Sequence, residues 1–301
     1  MATRRLLTSA LLLALLPGCN TLSPHALATP EPIASVEVVP AAPAGPQPND
    51  NMNAVAWVQT SVEYRLLAGQ AFRVALAQLD QALKTPSWDA LPREDRANVA
   101  AGLPPAIIVD IDETMLDNSP YQARLVRSGG SFNDATWNDW VMERAARPVP
   151  GALEFVRAVT ARGVTVYYLT NRTADQAPAT LDNLRKDGFP IKNDSQILGL
   201  GTIVDGCEAD GSEKNCRRQL VGQTHRVLMQ IGDQLGDFVT VVANTREGRE
   251  QAVRPYLGWV GERWFVLPGP TYGGWEPALF NNAWSTPAGE RRAEKLDALR
   301  Y

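Results

Sequence analysis

Short apolar runs followed by polar residues dominate the hydrophobic pattern of the chain beyond residue 100. Three of these runs cover residues 106–109, 164–169 and 227–231, and a fourth candidate covers residues 264–267. Apolar runs of this length are typical of strands that are buried on both faces of a parallel sheet. The pattern therefore predicts a central sheet of mostly parallel strands.

Longer segments of the chain carry apolar residues at every third or fourth position, which is the spacing of an amphipathic helix. They cover residues 52–84, 149–162 and 175–186. The second and third of them lie between predicted strands, and this alternation of strands and helices indicates a doubly wound α/β fold. The first precedes all the strands, so we expect it to pack on the sheet as an added N-terminal helical layer.

The residues that directly follow the apolar runs are polar and rich in aspartate. They are Asp110 and Asp112 after the first run, Thr170 and Asn171 after the second, and Asp233 and Asp237 after the third. In a doubly wound sheet, ligands bind outside the carboxyl ends of the strands, where the strand order reverses. We therefore expect these side chains to meet in one site.

The two acids at the end of the first predicted strand need a positively charged partner. Burial and mutual repulsion both oppose the ionisation of Asp110 and Asp112. A divalent cation removes both penalties, and Mg²⁺ prefers oxygen ligands of this kind. The alternatives are a helix cap, which needs only one acid, and a calcium loop, whose pattern requires glycine where this chain has Met115. The sequence favours Mg²⁺ as the cofactor.

Composition narrows the choice of chemistry. The 301 residues are 45% hydrophobic and 21% charged, which is typical of a globular protein, and the net charge of -4 argues against a nucleic-acid polymer as partner. The only histidines are His25 and His225, so a zinc site built from several histidines is excluded. Catalysis in this chain would depend on carboxylates, a lysine or a metal ion that prefers oxygen ligands.

The first residues have the pattern of an export signal. Arg4 and Arg5 precede an apolar run over residues 6–16, which is too short to span a membrane. The run ends in Leu-Pro-Gly-Cys, which resembles the cleavage box of bacterial lipoproteins. We expect residues 1–18 to be a lipoprotein signal peptide and Cys19 to be lipidated. The alternative is an ordinary cleaved signal and a soluble secreted protein.

A proline- and alanine-rich segment follows the signal. Residues 19–50 have little charge and no periodicity, so we predict a disordered tether that separates a lipid anchor from a folded domain at residues 51–301. The residue after the lipidated cysteine is Asn20 rather than aspartate, which by resemblance favours the outer membrane. We therefore expect an outer-membrane lipoprotein with its folded domain in the periplasm or at the cell surface.

The remaining cysteines fit an oxidising compartment. Cys207 and Cys216 are separated by eight residues, and in the periplasm such a pair is expected to form a local disulfide. A zinc site is the weaker alternative, because the chain has no second cysteine pair and no histidine cluster to complete it.

Two segments of the sequence resemble the signature of a known family. Residues 108–121 read Ile-Val-Asp-Ile-Asp-Glu-Thr-Met-Leu-Asp-Asn-Ser-Pro-Tyr, and residues 231–238 read Ile-Gly-Asp-Gln-Leu-Gly-Asp-Phe. Both resemble the two halves of the signature of bacterial class C acid phosphatases. These are lipoprotein phosphatases of the haloacid-dehalogenase-like superfamily, marked by four aspartates. Weaker similarity extends from about residue 54 to the C terminus.

The resemblance implies a role for each polar strand end. Asp110 is expected to attack phosphorus, and Asp112 to act as general acid and then as general base. The Mg²⁺ ligands implied are Asp110, the backbone carbonyl of Asp112, Asp233 and Asp237. Thr170 and Asn171 are expected to bind phosphoryl oxygens.

Members of the superfamily also use a lysine to neutralise the phosphoryl group. We predict Lys214, with Lys192 as the alternative. Lys214 lies between Cys207 and Cys216, so a disulfide would restrict its position. Aromatic residues at comparable places in the family stack on a nucleoside base, which here suggests Trp137 and Tyr272.

The function expected from sequence is Mg²⁺-dependent hydrolysis of phosphomonoesters, including 5′-nucleotides, through an aspartyl-phosphate intermediate. The partners expected are a small phosphomonoester substrate, with nucleoside monophosphates as candidates, and a membrane that holds the lipid anchor. The alternative is a catalytically weak periplasmic binding lipoprotein on the same fold. Homodimer formation through exposed aromatic residues or the N-terminal helix is a further hypothesis.

Overall fold

The computed structural model describes residues 48–301. Its strands are β1 (Pro105–Asp110), β2 (Leu116–Asp117), β3 (Arg147–Pro148), β4 (Thr165–Thr173), β5 (Ile197–Leu200), β6 (Arg226–Gly232) and β7 (Trp264–Val266). Its α-helices are α1 (Met52–Thr60), α2 (Val62–Lys84), α3 (Ser119–Ser128), α4 (Asp134–Glu143), α5 (Ala152–Ala161), α6 (Ala177–Lys186), α7 (Asn215–Thr224), α8 (Arg246–Val253) and α9 (Ala288–Asp297).

The main sheet has five parallel strands in the order β5-β4-β1-β6-β7. The chain therefore starts in the middle of the sheet, extends it on one side through β4 and β5, and then returns to extend it on the other side. In the register, Val109 of β1 lies level with Tyr168 of β4 and Ile231 of β6. The predicted doubly wound α/β fold is confirmed, and the strand order reverses beside β1.

Strand β1 divides two hydrophobic cores because its side chains alternate between the faces of the sheet. Ile107 and Val109 belong to one core, together with residues of α2, α5 and α6. Ala106 and Ile108 belong to the other core, which is completed by Trp264 and by side chains near α7. Helices on both faces hold the sheet in place, which fixes the positions of its strand ends.

The N-terminal helical layer is present, but it consists of two helices where the periodicity predicts one. The break falls at Ser61, whose backbone is extended and whose side chain accepts a hydrogen bond from Tyr64 N at 3.1 Å. Serine is a preferred N-cap residue, and here the local cap prevails over the continuous apolar pattern.

Helix α2 packs against α5 and against the sheet. Phe72 of α2 meets Phe155 of α5 with ring centroids 5.4 Å apart, and Arg226 of β6 donates to the Ala82 carbonyl oxygen at 2.9 Å. The two helices approach closely at Gly151, which has a φ of 92° and where a Cβ atom would lie 3.2 Å from Phe72 Cδ2. Glycine is therefore favoured at the start of α5.

The hydrophobic pattern misses strand β5, the segment between β1 and α5, and the later helices α7, α8 and α9. β5 has only four residues, one of them Gly199, so its apolar signal is weak. Residues 111–148 contain the antiparallel pair β2–β3 together with α3 and α4. Helix α3 begins at Ser119, soon after the acidic end of β1 at Asp110, and α4 begins at Asp134.

The lipoprotein signal at residues 1–18, the lipidated Cys19 and nearly all of the tether at residues 19–50 lie outside the described residues. Within residues 48–301, no helix combines the length and the apolar character that crossing a membrane requires.

Candidate active site

The carboxyl ends of β1 and β6 bring distant aspartates together. Asp110 is the last residue of β1, and Asp233 follows the last residue of β6. With Asp237, these residues offer carboxylate oxygens that all lie within 4.8 Å of one another, and all three side chains are buried. The structure thus brings three of the four predicted aspartates into one cluster of oxygen ligands.

A short helical turn directs Asp237 back towards the strand. The turn covers Leu235–Asp237, and Asp237 Oδ2 accepts a hydrogen bond from Gln234 N at 2.9 Å. The same carboxylate lies against Gly232, where an added Cβ atom would collide with it. A side chain at position 232 would therefore displace Asp237, which explains why the strand ends in glycine at this point.

Lys214 lies between two of the clustered acids. It occupies the N-cap position of α7, and its Nζ donates to Asp110 Oδ1, to Asp237 Oδ1 at 2.7 Å and to the Leu169 carbonyl oxygen at 3.0 Å. Burial lowers the pKa of Lys214, but the neighbouring Asp110 and Asp237 carboxylates outweigh burial and raise it to about 12. Lys214 is therefore a buried cation at the centre of the site.

The alternative lysine lies elsewhere. Lys192 is exposed and lines a cavity of about 200 Å³ together with Thr165, Tyr167 and His225, near the amino-terminal ends of the strands. Of the two candidates, the structure brings only Lys214 to the aspartates. The predicted disulfide is also present, because Cys207 and Cys216 are bonded and Cys216 lies in the first turn of α7.

Asp233 has an unusual surrounding. Its Oδ2 atom is buried and has no hydrogen-bond partner in the described part of the chain. Burial raises the pKa of Asp233 well above its ordinary value, and the charges of Asp237 and Asp110 raise it further. A buried carboxylate of this kind is costly unless it is paired or coordinates a metal.

The charges of the site are unbalanced. Its buried acids outnumber its buried cations; the acids are Asp110, Asp112, Glu113, Asp233 and Asp237, and the cations are Lys214, Arg172 and Arg217. A set of donors that consists of carboxylate oxygens fits a divalent cation that prefers oxygen. The cluster therefore fits the divalent metal ion that the sequence predicts.

The two oxygens of Asp110 differ. Oδ1 accepts the hydrogen bond from Lys214, whereas Oδ2 accepts none from the residues that the structure describes. Burial raises the pKa of Asp110 to about 7, against the opposing effect of Lys214. Asp110 thus presents one neutralised oxygen and one free oxygen.

Asp112 is held by a buried arginine that the sequence analysis did not single out. Arg172 Nε and Nη2 donate to Asp112 Oδ1 at 2.9 and 2.8 Å, and the arginine side chain is 1% exposed. Thr170 Oγ1 donates to Asp112 Oδ2 at 3.0 Å. Arg172 directly follows the predicted Thr170-Asn171 pair, so its proximity to the site was available from the sequence, but its contact with Asp112 was not.

Thr170 and Asn171 lie near the carboxyl end of β4, which continues to Thr173. The Thr170 hydroxyl contacts Asp112, and Asn171 is exposed. Buried Arg217, which the sequence analysis also missed, donates to the Thr170 carbonyl oxygen at 2.5 Å and to Asn171 Oδ1 at 2.8 Å. Arg217 therefore fixes the two residues, and their contact with phosphoryl oxygens stays a prediction.

The two predicted stacking residues lie at the border of the site. Trp137 is half-buried, and the Arg172 guanidinium lies 5.5 Å from the centroid of its ring. Tyr272 is partly exposed and lies near Glu113 and Asp233, whose charges add to burial in raising its pKa. Trp137 thus reaches the site through Arg172, which binds Asp112, whereas Tyr272 lies beside the acids themselves.

Glu113 is the remaining buried acid of the site. It has a φ of 61°, which is uncommon for a residue other than glycine. Burial, followed by the charge of Asp112, raises the pKa of Glu113 to about 8. Strained backbone of this kind is often found at functional sites.

The fold and the site together define a class of protein. Acids from two neighbouring strand ends surround one buried lysine on a parallel sheet, and the Asp-x-Asp pair follows the central strand. This arrangement is that of the haloacid-dehalogenase class expected from the two sequence segments.

Comparisons with known proteins give the family. A family model described as the acid phosphatases of HAD superfamily subfamily IIIB matches residues 34–275. The solved structure of the class C acid phosphatase from Bacillus anthracis is 31% identical, with a TM-score of 0.72 over 83% of this chain and 97% of that chain. A second structure of that protein has tungstate bound. The chain belongs to the class C acid phosphatases of this superfamily.

Curated plant proteins are more distant relatives. Acid phosphatase 1 of Solanum lycopersicum is 27% identical over 132 residues, which is 44% of this chain and 51% of that protein. The stem 28 kDa glycoprotein of Glycine max is 27% identical over 171 residues, or 55% of this chain and 58% of that protein. The chain thus spans little more than half the length of these relatives.

Proposed function

We propose that this protein is an acid phosphatase that hydrolyses phosphomonoesters with the help of Mg²⁺. The observation that carries the proposal is the pair of oxygens on Asp110, of which Lys214 neutralises one and leaves the other free. The family supports it, and so does the relative that has tungstate, a phosphate-like oxyanion, bound. Carboxylate nucleophiles are established in enzymes that transfer phosphoryl groups.

The first proposed step is the attack of Asp110 Oδ2 on phosphorus. As the new oxygen–phosphorus bond forms, the bond to the leaving oxygen breaks, and that oxygen takes the proton of Asp112. An aspartyl-phosphate on Asp110 results, together with a free alcohol. In the second step a water molecule attacks phosphorus, Asp112 takes a proton from it, and inorganic phosphate and the Asp110 carboxylate are restored.

The contacts of Asp112 indicate which of its oxygens carries the proton. Oδ1 accepts hydrogen bonds from Asn118 Nδ2 and from two nitrogens of Arg172, so a proton there would displace an N–H donor. Oδ2 meets only the Thr170 hydroxyl, which can donate or accept. We therefore assign the proton to Oδ2.

The metal would be held by Asp110, Asp233, Asp237 and the backbone carbonyl of Asp112. The unpartnered Oδ2 atom of Asp233 supports this assignment. When bound, Mg²⁺ would neutralise the acids and the charge of the phosphoryl group. Lys214 contributes a second positive charge at the same place, and positioning with charge neutralisation is most of what phosphoryl transfer requires.

For the substrate we propose nucleoside monophosphates, with the base between Trp137 and Tyr272. Trp137 lies beside Arg172 and Tyr272 lies near Glu113 and Asp233, and stacking on an aromatic side chain is worth about 1–3 kcal/mol per base. A Trp137→Leu variant should raise KM for a 5′-nucleotide by about tenfold or more and change KM for p-nitrophenyl phosphate less. Equal changes in KM for both substrates would show that Trp137 does not recognise the base.

We also propose that lipidation of Cys19 anchors the enzyme to the outer membrane and leaves the domain in the periplasm or at the surface. The basic start, the apolar run and the Leu-Pro-Gly-Cys ending support this proposal. A Cys19→Ser variant should appear in the soluble fraction, whereas the wild type should sediment with outer membranes. A wild type found only in the soluble fraction would favour an ordinary cleaved signal.

The activity itself is tested by phosphate release from p-nitrophenyl phosphate and a 5′-nucleotide. The wild type should be active with Mg²⁺ and inactive with a chelator, and Asp110→Asn should be inactive in both conditions. Asp233→Asn serves as the metal-site variant and should need more Mg²⁺ for half-maximal activity. Wild-type release no faster than that of Asp110→Asn would favour the binding lipoprotein.

A further inference from the structure

Asn118 has an unusual place at the start of α3. It occupies the N-cap position, where an asparagine side chain ordinarily accepts a hydrogen bond from the helix backbone. Here the Asn118 side chain makes no such cap. It points instead to the acids at the end of β1 and is 1% exposed. A good capping residue that is not used as a cap is engaged elsewhere.

All four hydrogen-bonding positions of the Asn118 amide are occupied. Nδ2 donates to Asp112 Oδ1 at 2.9 Å and to Glu113 Oε2 at 3.3 Å. Oδ1 accepts from Trp140 Nε1 at 2.8 Å and from Arg172 Nη2 at 3.3 Å. A primary amide can make four such bonds, two as donor and two as acceptor. The side chain is therefore fixed in one orientation.

The indole of Trp140 determines that orientation. An indole N–H can only donate, so the oxygen of Asn118 must face Trp140 and its NH₂ group must face the carboxylates. The Trp140 side chain is 3% exposed and lies on α4. Its ring is buried like that of a core residue, but its N–H is used at the site.

We propose that Asn118, oriented by Trp140, is a positioning residue for proton transfer by Asp112. The proposal rests on the function proposed above. By binding Oδ1 together with Arg172, Asn118 holds the Asp112 carboxyl so that Oδ2 faces the substrate. When the leaving oxygen separates from phosphorus, the proton of Oδ2 passes to it, and the Asp112 carboxylate that remains keeps its hydrogen bonds on Oδ1.

A role in proton transfer makes the effect of Asn118 depend on the leaving group, whereas a purely structural role does not. Proton transfer matters most when the leaving oxygen is basic. Phenol has a pKa of about 10, as in tyrosine, so its anion is a poor leaving group. The nitro group makes p-nitrophenolate a far weaker base that leaves readily without a proton. Phenyl phosphate and p-nitrophenyl phosphate thus differ in their need for Asp112 while offering the site a ring of the same kind.

The test compares kcat/KM for the two aryl phosphates in Asn118→Ala and Trp140→Phe. This ratio covers all steps up to loss of the leaving group, so a slow second step does not hide the effect. We expect kcat/KM for phenyl phosphate to fall about 10²-fold in Asn118→Ala, at the lower end of what general acid catalysis contributes. The loss for p-nitrophenyl phosphate should be about tenfold smaller, and Trp140→Phe should show the same preference more weakly.

A buried asparagine outside the site gives the control. Asn183 is 2% exposed, and its Nδ2 donates to the Ala146 carbonyl oxygen at 2.8 Å. Asn183→Ala should change both substrates by the same factor. Melting temperatures show whether each variant is folded, and Trp140→Phe alone suffices if Asn118→Ala does not fold.

The outcomes separate the two proposals. Equal losses for both aryl phosphates, or no loss, in an otherwise active enzyme would overturn the role of Asn118 and leave the phosphatase proposal intact. A wild type no more active than Asp110→Asn would overturn both.

Discussion

Lys214 Nζ donates a hydrogen bond to Asp237 Oδ1 at 2.7 Å, although the two residues come from different elements. Lys214 directly precedes α7, whereas Asp237 ends the short turn that follows β6. The same ammonium group contacts Asp110, so one buried cation connects the nucleophile to a metal ligand of the proposed reaction. Its pKa of about 12 keeps it charged at any pH at which the protein would work.

Replacing Lys214 by methionine should therefore abolish most of the activity. The change leaves Asp110 and Asp237 without their shared cation, and we expect kcat to fall about 10²–10³-fold, as when one electrostatic contact to a transition state is removed. Phosphate release measures this. Lys192→Met is the matched control and should behave as the wild type, because Lys192 is exposed and lines a cavity near the opposite ends of the strands. Loss of activity in Lys192→Met alone would reverse the assignment.

The disulfide should support the position of Lys214. Cys207 and Cys216 are joined, and Lys214 precedes Cys216 by two residues. We expect a Cys207→Ser/Cys216→Ser double variant to lose about 2–3 kcal/mol of stability and part of its kcat. A reductant should inhibit the wild type and leave the double variant unchanged. If reduction of the disulfide left wild-type turnover unaltered, the disulfide would not support the position of Lys214.

A buried ion pair between Arg218 and Asp95 helps to fix the loop that carries Asp237. Arg218 Nε donates to Asp95 Oδ2 at 2.5 Å, and Arg218 Nη1 donates to the Gly236 carbonyl oxygen at 2.9 Å. Arg218→Met leaves Asp95 buried without its cation, so we expect a loss of about 3–5 kcal/mol in urea denaturation. The double variant Asp95→Asn/Arg218→Met should lose less free energy of unfolding than the sum of the losses in the two single variants.

An exposed pair gives the control for this measurement. Arg124 and Glu143 form a salt bridge with side chains 54% and 41% exposed, so Arg124→Met should cost less than about 1 kcal/mol. If Arg218→Met were no more destabilising than Arg124→Met, the Asp95–Arg218 pair would not be a structural anchor.

The stability of the domain should fall in acid because of His225, which is the only histidine among residues 48–301. Burial lowers the pKa of His225 below its ordinary value of about 6.5. The unfolded chain then binds the proton at higher pH than the folded domain. The contribution of His225 to the free energy of unfolding therefore decreases as the pH falls through about 6.5 and is constant below the folded pKa.

A His225→Gln variant tests this pH dependence. Its melting temperature, relative to that of the wild type, should be higher at about pH 5 than at about pH 7.5, because only the wild type takes up the proton. If the difference in melting temperature between variant and wild type were the same at both pH values, His225 would not contribute to the pH dependence of stability.

The sequence predicts those features that depend on backbone pattern. Asp110 and Asp233 could be placed in one site because each follows an apolar strand, and parallel strands end at the same edge. Lys214 could be proposed because the family supplies a lysine and the interval to β6 suits a helix. The break at Ser61 was missed because one side-chain cap, Ser61 to Tyr64, outweighs a regular apolar spacing.

The residues that support Asp112 could not be found in this way. Asn118 and Trp140 carry no sequence signal that links them, and only the packing of α4 against the start of α3 shows that they contact each other. Arg172 and Arg217 are buried arginines, which are uncommon and carry no periodic signal. Their partners come from segments far away in sequence, so the contacts depend on tertiary structure.

The central claim is that Asp110 attacks phosphorus and carries the phosphoryl group. The most direct measurement is the intact mass of enzyme mixed with substrate and Mg²⁺ and quenched in acid during turnover, followed by peptide mapping. The account predicts a phosphoryl adduct on the peptide that contains Asp110, and no adduct in Asp110→Asn. Rapid turnover with no adduct on that peptide at any quench time, or an Asp110→Asn variant as active as the wild type, would contradict it.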